Sequence, residues 1–244
     1  MDSINGLICL VDWSNNLFIW NPSIRKYKKL PDSKSNLIDA INFIYGFGYD
    51  KFREDYKIEA CTYYHGHLHN VEVQIYSLKS DSWRSINCLN KGVRIYRSCK
   101  FVNGKIYWTS YTFSDRYIIY IDLVNEKWIK VEQPSYEEED YDLQLGIYGS
   151  DLSDYINNRR KFVSLWVIKK SWTKIFSIKY DDSPFSYVLP FFMSNKGEIM
   201  VCFASTNFMI DNPNDESLRP AVIDSNEFSY AEIYIEGLVS SFST

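Results

Sequence analysis

The chain has 244 residues, 45% of them hydrophobic and 17% aromatic, enough for a sizeable core and biased toward strands. A net charge of −4 with no basic block argues against nucleic acid as a partner. The N-terminal apolar run, Leu7 to Val11, is too short for a signal peptide or a membrane span. The cysteines, Cys9, Cys61, Cys88, Cys99 and Cys202, are scattered, odd in number and without a C-x-x-C pair. They read as reduced thiols of a cytoplasmic or nuclear protein.

In chain order, "NGLICL" (5–10) is an Asn-Gly turn opening an alternating strand, since both residues tolerate positive φ. "LFIWNPSIRKYKKLP" (17–31) follows: a strand, a polar turn, then Tyr27 seven residues after Trp20. "YGFGYDKFREDYKI" (45–58) holds a glycine pair with no helix after it, so it is not a dinucleotide fingerprint. Gly46 and Gly48 are expected to allow a bulge or a positive φ, and Asp50 and Asp55 to cap turns. "YKIEACTYY" and "VEVQIYSL" are strands joined by "HGHLHN" (65–70), and Trp83 stands seven residues after Tyr76. "NGKIYW" (103–108) repeats the opening turn. In "IYIDLVNEKWIKV" (119–131), Trp128 stands seven residues after Ile121. "DLSDYINNRRKF" (151–162) is the nearest approach to a helix, although no sustained helical stripe exists. "SLWVIKKSWTKIF" (164–176) puts Trp172 six after Trp166. "NKGEIMVCF" (195–203) and "AVIDSNEFSYAEI" (221–233) supply a degenerate last copy, with Tyr230 seven after Ile223.

The aromatic marks Tyr27, Trp83, Trp128, Trp172 and Tyr230 are 56, 45, 44 and 58 residues apart, the range of propeller blades. One unit reads strand, tight turn, strand, loop, strand, polar turn, strand. The expected fold is therefore an all-β propeller of about five four-stranded antiparallel blades in one domain spanning 1–244, with the first blade lacking its innermost strand. A β-sandwich with coincidental tryptophans is the alternative. Trp20, Tyr27, Trp83, Trp128 and Trp172 are the repeat positions. Trp83, Trp128 and Trp172 are expected to be buried, equivalent and folded onto a neighbouring blade. Residues 231–239 are expected to pair with the first unit, bringing Ile233 or Ile235 near Ile8 or Leu10.

Taken together, "NGLICL…LFIWNPSIRKYKKLP", "VQIYSLKSDSWRSI", "FVNGKIYWTS", "IDLVNEKWIKVEQP" and "SWTKIFSI" resemble successive segments of the F-box-associated domain of plant F-box proteins. The most specific part is the turn motif Gly46, Gly48, Tyr49, Asp50, Asp55 and Tyr56. "IYIEGLVS" resembles the family's usual ending, with Gly237 where serine is common. The resemblance implies a kelch-like β-propeller that serves as substrate receptor in an SCF-type ubiquitin ligase and binds a target protein. A separate F-box domain docks on the Skp1 adaptor in such proteins. Nothing in 1–244 resembles an F-box, so Skp1 binding is not expected and the domain would compete with full-length relatives. The alternatives are a hydrolase-like propeller enzyme and a non-functional gene fragment.

No catalytic, cofactor or metal residues are assigned. His65, His67 and His69 share one face of an extended segment but fall in an expected hairpin loop without a cysteine or carboxylate at ligand spacing. With no histidine elsewhere, the commonest general base is missing from almost the whole chain, so no enzyme is expected. "YEEEDYD" (136–142) reads as a solvated loop. Partner binding is assigned to the variable loops, where Arg94, Tyr96, Arg97, Tyr111, Arg116 and Tyr136 are of types enriched at interface hot spots.

Overall fold

Period-two alternation interrupted by polar turns leaves the backbone one economical solution, the antiparallel meander. The computed structural model describes residues 2–33, 40–64, 71–87, 94–111, 116–134, 136, 142–158, 162–179, 188–193, 197–203, 207–212, 217–220, 234, 236 and 237. The first sheet consists of β1 (Asp2–Ile4), β2 (Leu7–Val11), β3 (Leu17–Asn21) and β4 (Lys26–Lys29). The second holds β5 (Ala40–Asp50), β6 (Asp55–Tyr64), β7 (Val71–Ser77) and β8 (Ser82–Ser85). The third holds β9 (Arg94–Val102), β10 (Lys105–Tyr111), β11 (Arg116–Asp122) and β12 (Lys127–Val131). The fourth holds β13 (Asp142–Tyr148), β14 (Asp151–Asn158), β15 (Phe162–Ile168) and β16 (Trp172–Lys179). The fifth holds β17 (Val188–Met193), β18 (Ile199–Phe203), β19 (Asn207–Asn212) and β20 (Ser217–Pro220). Every sheet pairs its strands in sequence order, the blade of a β-propeller, and no helix occurs among the described residues. The chain divides into two compact units, 1–132 with 232–244, and 133–231.

Two expectations need correcting. The first blade does not lack its innermost strand: the three residues of β1 pair with β2, Asp2 opposite Cys9 and Ile4 opposite Leu7. Residues 151–158 of the helical candidate are strand β14, hydrogen-bonded on both sides to β13 and β15, with Leu152, Asp154 and Ile156 buried at alternate positions.

Two kinds of turn repeat. Asn5-Gly6 and Asn103-Gly104 take positive φ at both residues (51° and 81°, 50° and 78°), the condition for a two-residue hairpin. The other kind is a four-residue loop whose last residue is left-handed: Arg25, Glu54, Asp81 and Glu126, with φ of 49–55°. Each loop is preceded by a short polar side chain that accepts backbone N–H groups inside it. Asn21 Oδ1 accepts from Ser23 (3.0 Å), Asp50 Oδ1 from Phe52 (3.0 Å), Ser77 Oγ from Ser80 (3.1 Å) and Asp122 Oδ1 from Val124 (2.8 Å). These Asx- and Ser-type caps supply the turn's hydrogen bonds locally, which offsets the cost of the left-handed residue.

The second sheet shows how a blade buries both faces. Phe47, Tyr56, Ile58, Ala60 and Tyr76 join Leu7, Leu17, Ile19 and Leu30 of the first sheet. The alternate residues Ile44, Cys61, Val73 and Ile75 join Ile106, Trp108, Ile119 and Leu123 of the third. The repeated tryptophans stitch these contacts. The Trp83 indole N–H donates to Pro31 O (2.7 Å), just past the first sheet's outer strand, and Trp128 donates to Asn87 O (3.2 Å), just past the second's. Beside each, a backbone bond fixes the exiting segment: Leu30 N to Leu17 O (2.9 Å) and Ile86 N to Val73 O (3.0 Å).

Tyr27, Trp83 and Trp128 lie opposite Trp20, Tyr76 and Ile121, the residues seven before them. Trp172 lies opposite Ile168 instead, the first pair beyond a three-residue turn, and Trp166 pairs with Lys174. Trp83 is buried, Trp128 and Trp172 are half-buried, and Tyr27 is 70% exposed. Tyr230 lies outside the described residues, as do Ile233 and Ile235 of the expected closing strand. Their neighbours do reach the first sheet, at its Asn5-Gly6 turn. Tyr234 Oη meets Ser23 Oγ (2.9 Å) and donates to Gly6 O (3.4 Å), and Asn21 Nδ2 donates to Gly237 O (3.1 Å).

Candidate interaction surface

The two ends of each sheet differ in kind. In the first four sheets the hairpins joining strand one to two and strand three to four have two to four residues and share one end. The opposite end carries the connections between strands two and three and the exits from strand four. These are residues 12–16 and 30–39, 65–70 and 86–93, and 112–115 and 132–141 in the first three sheets. All but the four-residue 112–115 are longer than those hairpins, and no two have the same chemistry. His65, His67, His69 and most of the acidic 136–142 segment fall here and lie outside the described residues.

The family-like turn motif is at the tight end and is consumed by packing. Gly46 and Gly48 take no positive φ, and β5 pairs with β6 through them without a register shift, so neither explanation read from the sequence holds. Their reason is close approach. A Cβ on Gly46 would lie 2.5 Å from Trp108 Cζ2, and one on Gly48 would lie 2.4 Å from Leu123 Cδ1. Beside them, the buried Lys57 ammonium donates to Asp50 Oδ2 (2.9 Å), Leu123 O (2.7 Å) and Glu126 Oε1 (3.4 Å). Arg53 donates to Asp50 Oδ2 and to Val124 O, both at 2.9 Å, and Arg84 pairs with Glu126. Burial alone would raise the Asp50 pKa, but Lys57 and Arg53 override it and hold the carboxyl at about 2. Asp55 caps the next turn, accepting from Lys79 N (2.9 Å) and Ser77 Oγ (2.6 Å). Tyr49 packs on Tyr56 (4.7 Å) and Tyr56 on Phe47 (5.8 Å), all toward the first sheet.

The residues singled out for binding divide. Arg94, Tyr111 and Arg116 form one row across the third sheet at its long-loop end, Tyr111 lying opposite both arginines. Tyr96 and Arg97 are not in a loop. They sit in β9, where three residues stand opposite Thr109 between the pairs Ile95–Ser110 and Cys99–Trp108. Tyr136 is occupied internally: its hydroxyl donates to Asp154 Oδ2 (2.6 Å) and its ring meets Trp166 edge-on at 6.0 Å.

Two features had not stood out in the sequence. Trp13, in the loop after β2, is fully exposed. Its loop is rigid: Asp12 Oδ1 accepts from Ser14 N and Asn16 N (2.8 Å each), Oδ2 accepts from Asn16 Nδ2 (2.7 Å), and Asp12 N donates to Asn16 O (3.0 Å). The Asn16 amide beside it holds the Asp12 carboxyl below its ordinary range. Next to this loop is a pocket of about 230 Å³ with a floor of Leu17, Leu30, Phe43 and Trp83. Its rim is Ser14, Asn15, Asn16, Asp32 and Ser33. An aromatic between polar turn formers, "VDWSNN", was the signal available.

Two carboxylates are fully buried elsewhere. Burial pushes Glu59 up to about 8 against one Cys61 Sγ–H contact (3.4 Å), and pushes Asp154 up to about 7 against the Tyr136 hydroxyl. Neither lines the pocket, whose single ionisable residue among the described ones is Asp32. The Lys57 cluster brings five ionisable groups together, but they bind one another and backbone carbonyls. Among the described residues no group of three His, Cys, Asp or Glu could hold a metal ion.

Residues 1–229 match the F-box associated beta propeller domain. The chain belongs to that family. F-box-associated relatives include the F-box/kelch-repeat protein At3g23880 of Arabidopsis thaliana, 27% identical over 248 residues, covering 97% of this chain and 67% of that one. The F-box protein CPR1 of the same plant is 25% identical over 275 residues with the same coverage. Among solved structures, a chain of the mitotic checkpoint complex aligns with TM-score 0.53 at 11% identity, over 90% of this chain and 77% of its own. The Aleuria aurantia lectin aligns with TM-score 0.51 at 12% identity, over 95% and 79%. At such identities these two share the fold alone with the F-box-associated domain.

Proposed function

We propose that this F-box-associated domain recognises a target protein, as the substrate-binding part of an SCF-type ubiquitin ligase receptor, through the long-loop ends of its blades. The observation that carries the reading is the contrast between the two ends. In the first three sheets one end is closed by repeated, internally satisfied turns, whereas the other carries connections of unlike length and chemistry. Family membership supports the same reading. Recognition, not ubiquitin transfer, is the role assigned to residues 1–244, and Skp1 is expected to act through an F-box rather than through these blades.

The test is affinity capture from plant extract with the full chain and two loop variants. Residues 65–70 and 112–115 are replaced by Gly-Ser segments of equal length in one. The tight turn 78–81 is altered by Lys79→Gln and Ser80→Ala in the other. The retained proteins should disappear with the first variant and persist with the second. The reverse pattern would defeat the assignment to the long-loop ends.

A further inference from the structure

The pocket beside Trp13 combines features that constrain its occupant. Its floor is apolar, made by Leu17, Leu30, Phe43 and Trp83, so it can take a hydrocarbon stem. Its rim offers acceptors: the Asp32 carboxylate, the Asn15 and Asn16 amides, and the Ser33 hydroxyl, whose buried oxygen has no hydrogen-bond partner. No lysine or arginine lines it among the described residues. A buried polar atom left unpaired is costly, so an occupant that donates to it gains more than one that only fills space. Trp13 precedes the rim residue Ser14 in the chain, its whole ring is in solvent, and the Asp12 caps fix the backbone of their shared loop. Cations prefer tryptophan faces over other aromatic faces. Both walls are fixed, one by Asp12 and the other by the Trp83 bond to Pro31, so little ordering is required on binding.

We propose that this pocket receives an arginine or lysine side chain from a peptide segment of the target protein. The stem lies on Leu17, Leu30 and Phe43, the cationic head donates to Asp32 and Ser33 Oγ, and Trp13 covers the segment by cation–π contact. The proposal rests on the reading that the long-loop ends recognise protein, and it names the chemistry that one of them takes.

The experiment selects peptides from a displayed library of random twelve-residue sequences on the full chain. It then measures each selected peptide on the wild type and on Trp13→Ala, Asp32→Asn and Arg116→Ala. Trp13 and Asp32 are exposed, so these variants keep the fold. The expected result is enrichment of arginine or lysine, with affinity falling about tenfold in Trp13→Ala, comparably in Asp32→Asn, and further at high salt. Peptides without a basic residue, peptides indifferent to both substitutions, or no retained peptide would each overturn the proposal. If binding instead falls in Arg116→Ala alone, the pocket assignment fails while recognition by the long-loop ends stands. If acidic or glycan-like ligands bind the Trp13 pocket in its place, the occupant is wrong.

Discussion

The interface between the first and second sheets and that between the second and third use the same stitch and different fillings. Both have an outer-strand tryptophan donating to a carbonyl of the preceding sheet's exit. The first interface is then filled by aromatic rings, Phe47, Tyr56, Tyr76 and Trp83, and leaves the pocket open at its edge. The second is closed by removing side chains, at Gly46 and Gly48, so that Trp108, Ile106 and Leu123 lie against backbone. It also buries ionisable groups: Lys57 and Asp50, beside half-buried Glu126, at one end, and Glu59 in the middle. A propeller thus needs its repeat only for the stitch. What fills each gap is free to vary, and the looser gap is the one that keeps a cavity.

The contrast can be tested by mutation. The largest loss should come from Trp83→Ala, about 4 kcal/mol in denaturant unfolding, because a buried ring and its hydrogen bond are removed together. Trp128→Ala, at a half-buried ring, should cost clearly less, and equal costs would show that burial does not rank the two stitches. Lys57→Met should cost about 3 kcal/mol, since Leu123 O loses its donor and Asp50 keeps Arg53 as its one cationic partner among the described residues. A loss no larger than that of a surface change would mean the second interface is not closed by charge. Gly46→Ala should cost about 2 kcal/mol by overpacking against Trp108, read as a lowered melting temperature.

The contrast also shows in pH dependence. Folded Glu59 keeps its proton up to about pH 8, whereas an unfolded glutamate loses it near about 4.3. Between those values folding takes up a proton, so stability falls as pH rises, by at most about 1.4 kcal/mol per pH unit. Glu59→Gln should flatten that decline, and Asp154, pushed up to about 7, contributes in the same sense. Asp50 has the opposite sign: held at about 2, it stabilises above the unfolded value and is lost only as pH falls from about 4 to 2. A profile of the Glu59→Gln variant as steep as the wild type between pH 5 and 8 would remove the buried carboxylate from the account.

Much of this was legible because hairpins are local. The seven-residue spacing of Trp20–Tyr27, Tyr76–Trp83 and Ile121–Trp128 is a cross-strand pair spanning a four-residue turn, so period and polarity were enough to read it. The same rule misled at Trp172, where a turn one residue shorter sets it opposite Ile168 and leaves Trp166 to Lys174. Gly46 and Gly48 were visible, but their reason lies in Trp108, about sixty residues away and on another sheet, and distances of that kind leave no local trace. Tyr136 looked like a free hot spot because its partner Asp154 lies in the segment 151–162, read from the sequence as nearest to a helix. Trp13 was overlooked since an aromatic at a strand's end looks like strand until its exposure is known.

The segment around Gly237 binds a turn made by residues 5 and 6, across more than two hundred positions of chain. On a ribosome, this contact is among the last that can form. Until then Asn21 lacks the carbonyl that its amide meets in the finished protein, and the first blade waits while four others are synthesised. A serine at 237 would set its Cβ 2.8 Å from Asn5 O, so glycine there lets the late-arriving segment slide in backbone to backbone. The first of these five blades is therefore made before the other four and completed after them. Chains stalled before residue 234 should expose it to protease, whereas released chains should protect it.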